Sequence, residues 1–448
     1  MLQFLNKINA AVWGAPTLLL IFFTGIILTL RTNFFQIKKF KQSAKIFFGS
    51  ENTAVTGGRL SPLQSASTAL SATMGVGNIV GVAGAISLGG AGAVFWMWVS
   101  AIFSMIVKFA EIALAVRYRE QKSDGSYSGG AMYYMKNALP KIFYPLAIAF
   151  CVCGVAAAFG VGNMTQINTI SASINQMARA LFDISPRGEF WVKLSVGIIC
   201  AAVCSAVLSH DKRIGSFCEK IIPALTFLYL FMTLGAILVN YKNIPSAFVA
   251  VFKGAFSPAG VTGGAVGSAF VGMRFGIARG SFSNEAGMGT APTAYSCAEG
   301  DEISLGLMGV MEVFIDTVVV CTLTAFTILC SVDVKYGTDL STTLTLDAFK
   351  SVYGDGVIFV FCPVVCFFAF SSVLGWGFYG TKFAAFLFGE KAKGVFLVFF
   401  ILSMVPTAIF RAEVAWVFAE ILNGLMILPN TAALLLLTNE IADITHGR

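Results

Sequence analysis

The sequence predicts an all-α polytopic membrane protein with eleven transmembrane helices. One N-terminal helix precedes two repeats of five helices that cross the membrane in opposite orientations. Three observations predict this class. Hydrophobic residues make up 57% of the 448 residues and charged residues 12%, more apolar surface than a soluble domain of this length can bury. Apolar runs long enough to cross a bilayer recur along the chain, and glycine-rich stretches fall inside two of them.

The predicted N-terminal region, residues 1–61, holds one membrane helix and one amphipathic segment. Residues 11–30 are too long an apolar run for a signal peptide and no cleavage pattern follows, which indicates an uncleaved spanning helix. Residues 34–48 mix lysines with Phe and Ile, which is typical of a helix in the cytoplasmic membrane interface. A solvated linker is the alternative for this segment.

Ten further apolar runs and the loops between them predict the topology. Most Lys and Arg residues lie in loops on the side opposite the N-terminus, which places the N-terminus outside and the tail, residues 438–448, in the cytoplasm. This bias also accounts for the net charge of +7 without a nucleic-acid partner. The ten predicted spans are 62–89, 92–116, 143–172, 191–208, 216–239, 262–288, 303–330, 352–380, 394–408 and 412–437.

These spans divide into two blocks, residues 62–240 and 262–437. Because each block holds an odd number of spans, the second block enters the membrane from the opposite side. Inverted repeats of this kind place the substrate near the membrane midplane, on interrupted helices in corresponding positions of the two blocks.

The first interrupted helix is predicted at SATMGVGNIVGVAG, residues 71–84. Each of its glycines 75, 77 and 81 costs about 1 kcal/mol of helix propensity relative to Ala. The counterpart in the second block is 262–288, where Gly276 falls at the matching depth and predicts the second interruption. A glycine-rich face for helix association is the alternative explanation.

An interruption at the midplane predicts a binding site, because backbone groups that leave a helix inside a bilayer need a covered or water-filled surrounding. The start of the second half-helix, near Gly77 and Asn78, would direct N–H groups and a positive dipole end at an anion such as a carboxylate. The last carbonyls of the first half, from Ser71 to Met74, would suit a small cation.

Polar residues of two other helices fall at a similar depth. Gln166, in the third core helix, can bond a carboxylate or an ammonium group. Ser371 and Ser372, in the eighth core helix, offer hard oxygen ligands for a cation, and the nearby Trp376 is predicted to form a pocket wall. The alternatives are an interhelical hydrogen bond for Gln166 and a place in the interfacial aromatic belt for Trp376.

Several charged residues fall inside predicted spans. Arg274 and Arg279 should pair with acids or face a cavity, as an inner gate or as a purely structural pair. Lys108 is expected to extend to the cytoplasmic surface. Glu413 and Glu420, in the last helix, are candidate proton or ion ligands. Glu285 is the nearest acid in sequence and the first candidate partner of the arginines, and the other candidates are Glu312, Asp316 and Glu111.

Other chemistries are not indicated. The chain has ten cysteines and two histidines, and the cysteines lie in apolar segments or short loops. His210 lies in a loop and His446 in the tail, so neither a disulfide framework nor a zinc site is predicted. Neither HExxH nor GxSxG with partner residues occurs, so the sequence predicts no enzyme.

Five stretches carry a resemblance to a known family. They resemble the alanine or glycine:cation symporters, also called sodium:alanine symporters, and cover most of the chain. The resemblance implies a leucine-transporter-type inverted-repeat fold, a plasma-membrane location, and transport of small neutral amino acids with Na⁺ or sometimes H⁺. The stretches are GVGNIVGVAGAISLGGAGAVFWMWVSAIF, KFAEIALAVRYRE, SGGAMYYM, ARGSFSNEAGMGTAPTAY and SSVLGWGFYG.

The resemblance also implies a set of site residues. Family members commonly carry Thr where this chain has Val76 and Ser372, so one hydroxyl beside the pocket is lost and the other is kept. The implied cation site combines carbonyls of Ser71 and Met74 with hydroxyls of Ser371 and Ser372. The implied substrate contacts are Thr73, Gly75, Asn78, Gln166, Gly375 and Trp376.

We therefore expect a secondary transporter that takes up alanine or glycine with Na⁺ by alternating access, with H⁺ as the other possible coupling ion. Phe275 or Phe282 would join Trp376 around a pocket too small for large side chains. The expected partners are the amino acid and the lipid bilayer. A passive channel is the alternative, but a channel needs a continuous polar lining or charged rings, whereas these polar residues cluster at one depth.

Overall fold

Helices make up nearly all the regular structure of this chain. The computed structural model describes residues 2–49, 60–123, 125–208, 211–256, 269–340 and 343–447. The first residues of the predicted second block, 262–268, and His210 lie outside the described residues, so the predicted block boundaries stay predictions.

The first part of the chain contains thirteen α-helices in the described ranges. A π-helical turn, Gly77–Gly81, precedes α6, and a second one, Ala158–Met164, joins α9 to α10. Two short antiparallel strands, β1 (Glu120–Gln121) and β2 (Tyr127–Ser128), follow α7. The helices are α1 (Leu2–Val12), α2 (Ala15–Arg31), α3 (Phe35–Lys38), α4 (Phe40–Gly49), α5 (Pro62–Thr73), α6 (Val82–Gly89), α7 (Gly92–Arg117), α8 (Ala131–Asn137), α9 (Tyr144–Ala157), α10 (Thr165–Leu181), α11 (Pro186–Val207), α12 (Asp211–Val239) and α13 (Ile244–Phe256).

The second part contains nine more α-helices in the described ranges. A third π-helical segment, Phe314–Cys321, joins α16 to α17 and faces the π-helical turn before α6. The helices are α14 (Ala269–Asn284), α15 (Pro292–Tyr295), α16 (Glu302–Val313), α17 (Thr322–Ser331), α18 (Leu344–Tyr353), α19 (Ile358–Phe388), α20 (Ala392–Thr407), α21 (Ala412–Leu436) and α22 (Thr438–His446).

The described helices agree with the predicted spans in type and position. Eight continuous helical segments are long and apolar enough to cross a membrane, and α5 together with the segment Gly77–Gly89 would form a ninth, bent span. The two other predicted spans correspond to α14 and α20, which have 16 residues each as described. The polytopic all-α class is confirmed, while the count of eleven stays a prediction.

The amphipathic segment after α2 is helical, as predicted. Its Ser43 Oγ donates to the carbonyl of Leu307 at 2.5 Å, which holds α4 against α16. The lysines of the segment are exposed, as are Ile37 and Phe48. One face is therefore anchored to the bundle and the other carries mixed basic and apolar side chains, in keeping with the predicted interface location.

The interruption predicted at Gly276 is wrong in position. Gly276 lies within α14, where an added Cβ would sit 2.4 Å from the carbonyl oxygen of Ala93. Gly272, one turn earlier, approaches the backbone of the α6–α7 link in the same way. These glycines serve close helix association, the alternative explanation given above. The helix ends instead at Asn284, and a non-helical link leads from there to α15.

This link is where the sixth core helix is interrupted. Glu285, Gly287 and Gly289 have positive φ angles of 53°, 89° and 69°, a backbone region that glycine adopts at low cost. The link follows the end of α14 at Asn284, and α14 itself packs against α7. Both predicted helices are therefore interrupted. The first break follows Thr73, near the middle of its segment, and the second follows Asn284, near the end of its segment.

Candidate functional site

The first core helix is interrupted where predicted. α5 ends at Thr73, the chain turns through Met74 and Gly75, and the π-helical turn then leads into α6. The two halves are bent by 44°. The backbone N–H of Gly75 donates to the carbonyl of Thr73 at 2.9 Å and to Oδ1 of Asn78 at 3.2 Å. The side chain of Asn78 therefore stabilises the turn.

Two other helices approach the backbone of this turn closely, and the approach of α19 requires glycine at position 75. A Cβ on Gly75 would lie 2.3 Å from Oγ of Ser372 in α19, and a Cβ on Gly77 would lie 3.3 Å from Cα of Ser283 in α14. On the α19 side, a Cβ on Gly375 would lie 2.9 Å from a side chain of α5. The interruption is thus covered by protein, the surrounding that non-helical backbone needs at membrane depth.

The predicted cation ligands of α5 and α19 lie together. Ser372 Oγ donates to the carbonyl of Ser71 at 2.8 Å, and Ser371 Oγ lies 3.5 Å from the same oxygen. Both hydroxyls also reach the carbonyl of Phe368, at 2.8 and 3.2 Å. Hydroxyl and carbonyl oxygens are ligands for a hard cation, so this donor set fits Na⁺.

The carbonyl of Met74 was predicted from the sequence as a cation ligand, whereas that of Phe368 was not. Met74 is a predicted ligand; its side chain is buried and its sulfur accepts from Thr226 at 3.8 Å, while the role of its carbonyl stays a prediction. The carbonyl of Phe368 was not predicted, because every residue has a backbone oxygen and the residue type does not show which one faces a site. Its position one helical turn before Ser371 and Ser372 could have indicated it.

A buried carboxylate, Asp316, lies beside the interruption. It accepts hydrogen bonds from Asn78 Nδ2 at 2.7 Å, from Ser283 Oγ at 2.8 Å and from Thr317 Oγ1 at 2.9 Å. The expectation that Asp316 pairs with an arginine is therefore wrong. Since protein groups occupy both ends of the Asn78 amide, its contact with a substrate carboxylate stays a prediction.

Gln166 and Trp376 lie on adjoining helices and are both buried. Nε2 of Gln166 donates to the carbonyl of Val161 at 3.2 Å, and its Oε1 has no hydrogen-bond partner among the described residues. A Cβ on Gly162, one turn earlier, would lie 2.2 Å from Cβ of Trp376. The Thr73 hydroxyl, another predicted contact, bonds two carbonyls of its own helix at 3.2 and 3.3 Å.

The two predicted aromatic residues of α14 lie in different places. Phe282 is buried, with its ring 3.5 Å from where a Cβ on Gly77 would be, and it packs at a tilt of 37° against Trp416 of α21, with the ring centres 5.3 Å apart. Phe275 contacts Gly89 at the end of α6 instead. The two are seven residues apart, roughly 10 Å along a helix. The structure therefore brings Phe282, but not Phe275, to the interruption.

Lys108 does not extend to the surface as predicted. It is fully buried, and its Nζ lies 3.0 Å from Glu312 Oε1 and 2.8 Å from the carbonyl of Asn284. Its neighbour Glu111 accepts the N–H of Gly289 at 3.0 Å and an amide hydrogen of Asn430 at 2.5 Å. Helix α16 and the link after α14 cover this side of α7. The burial of Lys108 could not be predicted, because these segments lie far from it in the sequence.

The predicted partners of the arginines are also wrong. Nη2 of Arg279 lies 2.6 Å from Oε1 of Glu420 in α21, far away in sequence. The acid nearest in sequence, Glu285, is held by Thr290 instead. For Arg274 no acidic partner occurs among the described residues. The Arg279–Glu420 pair lies beside Trp416, whose ring centre is 4.9 Å from the guanidinium, and whether the pair acts as an inner gate or is purely structural stays a prediction.

Solved structures show which fold this arrangement represents. MhsT, crystallised with L-phenylalanine, has a TM-score of 0.60 at 14% sequence identity, over 88% of this chain and 99% of MhsT. The Eremococcus coleocola manganese transporter has a TM-score of 0.52 at 12% identity, over 84% and 76% of the two chains. Both have the leucine-transporter-type fold, so the predicted fold is confirmed. Fold and apolar helices thus define a multi-pass membrane protein of this fold class.

The family follows from the sequence match. The model of the sodium:alanine symporter family matches residues 1–447, and the chain belongs to that family. The sodium/alanine symporter AgcS of Methanococcus maripaludis is 36% identical over 99% of this chain and 96% of its own length. The probable sodium/glutamine symporter GlnT of Bacillus subtilis is 32% identical over 97% and 87%. The protein is accordingly a Na⁺-coupled amino-acid symporter and not an enzyme.

Proposed function

We propose that this protein takes up small neutral amino acids, alanine or glycine, together with Na⁺ by alternating access. The single observation that carries the substrate size is the crowding around the interruption. Glycines 75, 162 and 375 each allow a neighbouring side chain into the space that a Cβ would fill, and a Cβ on Gly77 would be in tight contact at 3.3 Å. A site closed this tightly around a helix turn has room for a small side chain.

The substrate carboxylate would bind at the start of the second half-helix, near Gly75 and Gly77. The first N–H groups of a helix lack partners within the helix, and the dipole there favours an anion. Oε1 of Gln166, buried without a partner among the described residues, would accept a hydrogen bond from the ammonium group. Trp376 and Phe282 would form the apolar walls.

Na⁺ would bind between α5 and α19, at the carbonyls of Ser71 and Met74 and the hydroxyls of Ser371 and Ser372. Such an ion links the two helices that enclose the substrate. It couples to transport if it binds the loaded outward-open state more tightly than the others. A relative, YrbD of Bacillus subtilis, is named a putative sodium/proton-dependent alanine carrier, which keeps H⁺ as the competing hypothesis.

Counterflow in proteoliposomes tests this function. Labelled alanine and glycine should accumulate with saturation when Na⁺ is present, and glutamine should compete weakly. Replacing Gln166 or Trp376 with Ala should abolish uptake while the folded protein remains in the membrane. Flux without saturation would indicate a channel, and uptake that follows a pH gradient but ignores Na⁺ would assign the coupling to H⁺.

The cellular placement belongs to the same proposal. We place the protein in the plasma membrane with its N-terminus outside and its C-terminus in the cytoplasm, because basic loops favour the cytoplasmic side. Accessibility of tags fused at the two ends, measured in intact cells, would check this orientation.

A further inference from the structure

A run of basic residues, here called the basic segment, begins at the end of α2 and continues through α3 into α4. No acidic residue precedes Glu51 in the sequence. All the basic side chains of the segment are exposed, and none forms an ion pair with a residue that the structure describes. The basic residues of the segment are Arg31, Lys38, Lys39, Lys41 and Lys45.

Other lysines at this end of the bundle have acidic partners. Nζ of Lys136 lies 3.0 Å from Oε1 of Glu120. Nζ of Lys393 lies 2.6 Å from Oε2 of Glu390, and Nζ of Lys122 lies 2.5 Å from the other oxygen of the same carboxylate. The basic segment differs from these lysines because the described part of the protein gives it no counter-charge.

The chain turns back towards the bundle directly after α2. Asn33 and Phe34 have positive φ angles of 52° and 59°, and the N–H of Phe34 donates to the carbonyl of Thr29 at 2.8 Å. Nε2 of Gln36 then donates to Oγ1 of Thr29 at 2.9 Å. These bonds hold α3 beside the last turn of α2, so the basic segment does not extend away from the bundle.

Helices α3 and α4 lie beside the membrane-spanning helices, short of their ends. The ring centres of Phe35 and Phe109 are 4.8 Å apart, and Phe109 precedes the end of α7 at Arg117 by roughly 12 Å along the helix axis. Ser43 is bonded to the carbonyl of Leu307 within α16. The basic segment is therefore at the depth where the spanning helices leave the bilayer, and lipid headgroups are the anions available there.

Exposed apolar side chains accompany the lysines. Phe34, Ile37 and Phe48 are 46%, 57% and 74% exposed. Apolar and basic side chains together on one short helical segment suit a bilayer interface, where apolar groups enter the acyl layer and ammonium groups reach the phosphates. Lys41 and Lys45 are one turn apart in α4, so their ammonium groups can contact the same phosphate.

We propose that the basic segment binds anionic phospholipid headgroups in the leaflet at this end of the bundle, the cytoplasmic leaflet in the orientation proposed above. Lys41 and Lys45 donate to one headgroup, and Phe48 contacts its acyl chain. The lipid supplies the counter-charge that the described protein does not. A nucleic acid or an acidic protein would approach from water, beyond the depth of this segment. The inference does not depend on which amino acid is transported.

Photo-crosslinking of lipids tests the proposal. The purified full-length protein is reconstituted in liposomes of phosphatidylglycerol and phosphatidylcholine in equal parts. One of the two lipids carries a photoreactive group near its headgroup, and adducts on residues 31–49 are quantified by mass spectrometry. Phosphatidylglycerol adducts should exceed phosphatidylcholine adducts at least about fivefold, the effect of one basic residue near an anionic membrane surface. The ratio should fall in about 1 M salt, which screens the charges.

A ratio near one in the wild-type protein at low salt would overturn the proposal, and this comparison needs no substitution. That result is expected if the segment touches lipid without preference or binds a soluble polyanion instead. The double variant Lys41→Gln, Lys45→Gln should lower the ratio at least about fivefold. Lys41→Arg, Lys45→Arg keeps both charges and should stay within about twofold of the wild type, because a guanidinium also binds phosphate.

Lys136→Gln, Lys393→Gln is the matched control. It removes two positive charges at the same end of the bundle, but from lysines that already have carboxylate partners. The ratio of adducts on residues 31–49 should stay within about twofold of the wild type, since the basic segment is intact and separate charges on the surface are screened. An equal loss in the control and in the Lys41, Lys45 double Gln variant would assign the lipid preference to net charge and overturn the proposal.

Discussion

Ser372 shows how one side chain can join the proposed Na⁺ site to the interruption. Its hydroxyl donates to the carbonyl of Ser71 at 2.8 Å, and it occupies the space where Gly75 would have a Cβ. Ser371 reaches the same carbonyl only at 3.5 Å. Of the two hydroxyls, that of Ser372 therefore has the closer approach to the proposed Na⁺ position.

Replacing Ser372 with Ala should raise the Na⁺ concentration for half-maximal uptake about tenfold, since one hard oxygen ligand is lost. The KM for alanine at saturating Na⁺ should change little. Ser372→Thr, which keeps the hydroxyl, should restore the Na⁺ response. The measurement is the initial rate of labelled alanine uptake into proteoliposomes at varied Na⁺. An unchanged Na⁺ response in the Ala variant would remove Ser372 from the ion site.

At the scale of elements, α14 has two different functions along its length. Its glycines bring it against α7, and near its end Phe282 packs against the interruption at Gly77. Gly276 and Gly280 both face α7, but the backbone of α7 comes closer to Gly276 than to Gly280. A Cβ on Gly276 would clash with a backbone oxygen at 2.4 Å, while a Cβ on Gly280 would have its nearest contact at 3.7 Å.

Gly276→Ala should therefore destabilise the protein by roughly 1–3 kcal/mol, because α14 must move away from α7 to relieve the clash. Gly280→Ala should be tolerated, since 3.7 Å is an ordinary contact distance. Thermal unfolding of the purified variants in detergent compares the two. Equal melting temperatures would show that the α7–α14 contact is looser than described.

At the scale of the whole molecule, a buried polar network joins distant helices. Lys108 of α7 pairs with Glu312 of α16, and Glu111 bonds Asn430 of α21. Tyr295, in α15, donates to the other oxygen of Glu312 at 3.0 Å. The network contacts the link after α14 through Asn284, Gly287 and Gly289, so it ties α7, α16 and α21 to that link.

Lys108→Met should cost about 3–5 kcal/mol of stability, because it leaves the Glu312 carboxylate buried without its counter-charge. The double variant Lys108→Met, Glu312→Gln should recover part of this loss, which a double-mutant cycle measures. Lys136→Met removes the exposed pair with Glu120 and should change stability by less than about 1 kcal/mol. Similar costs in the two single variants would contradict the network's role.

The success of prediction varied with the range of the interactions. The turn at Gly75 and Gly77 was predicted because closely spaced glycines weaken a helix locally. The same argument failed at Gly276, where tertiary contact with α7 keeps the helix intact. The partner of Arg279 was missed because Glu420 lies 141 residues later in the chain, and a local sequence pattern does not show which distant residues come into contact.

The sequence by itself determined the helical membrane class, the positions of most spans, the first interruption and the family. These depend on apolar length, glycine content and family motifs, which are local or read directly from residue identity. Only the tertiary structure decided where the sixth core helix breaks and which acids pair with Arg279 and Lys108. Those features arise where helices that are distant in sequence pack together and exclude water. Because a buried charge without a counter-charge is costly, the acidic partner of each buried basic residue is set by which helix packs beside it.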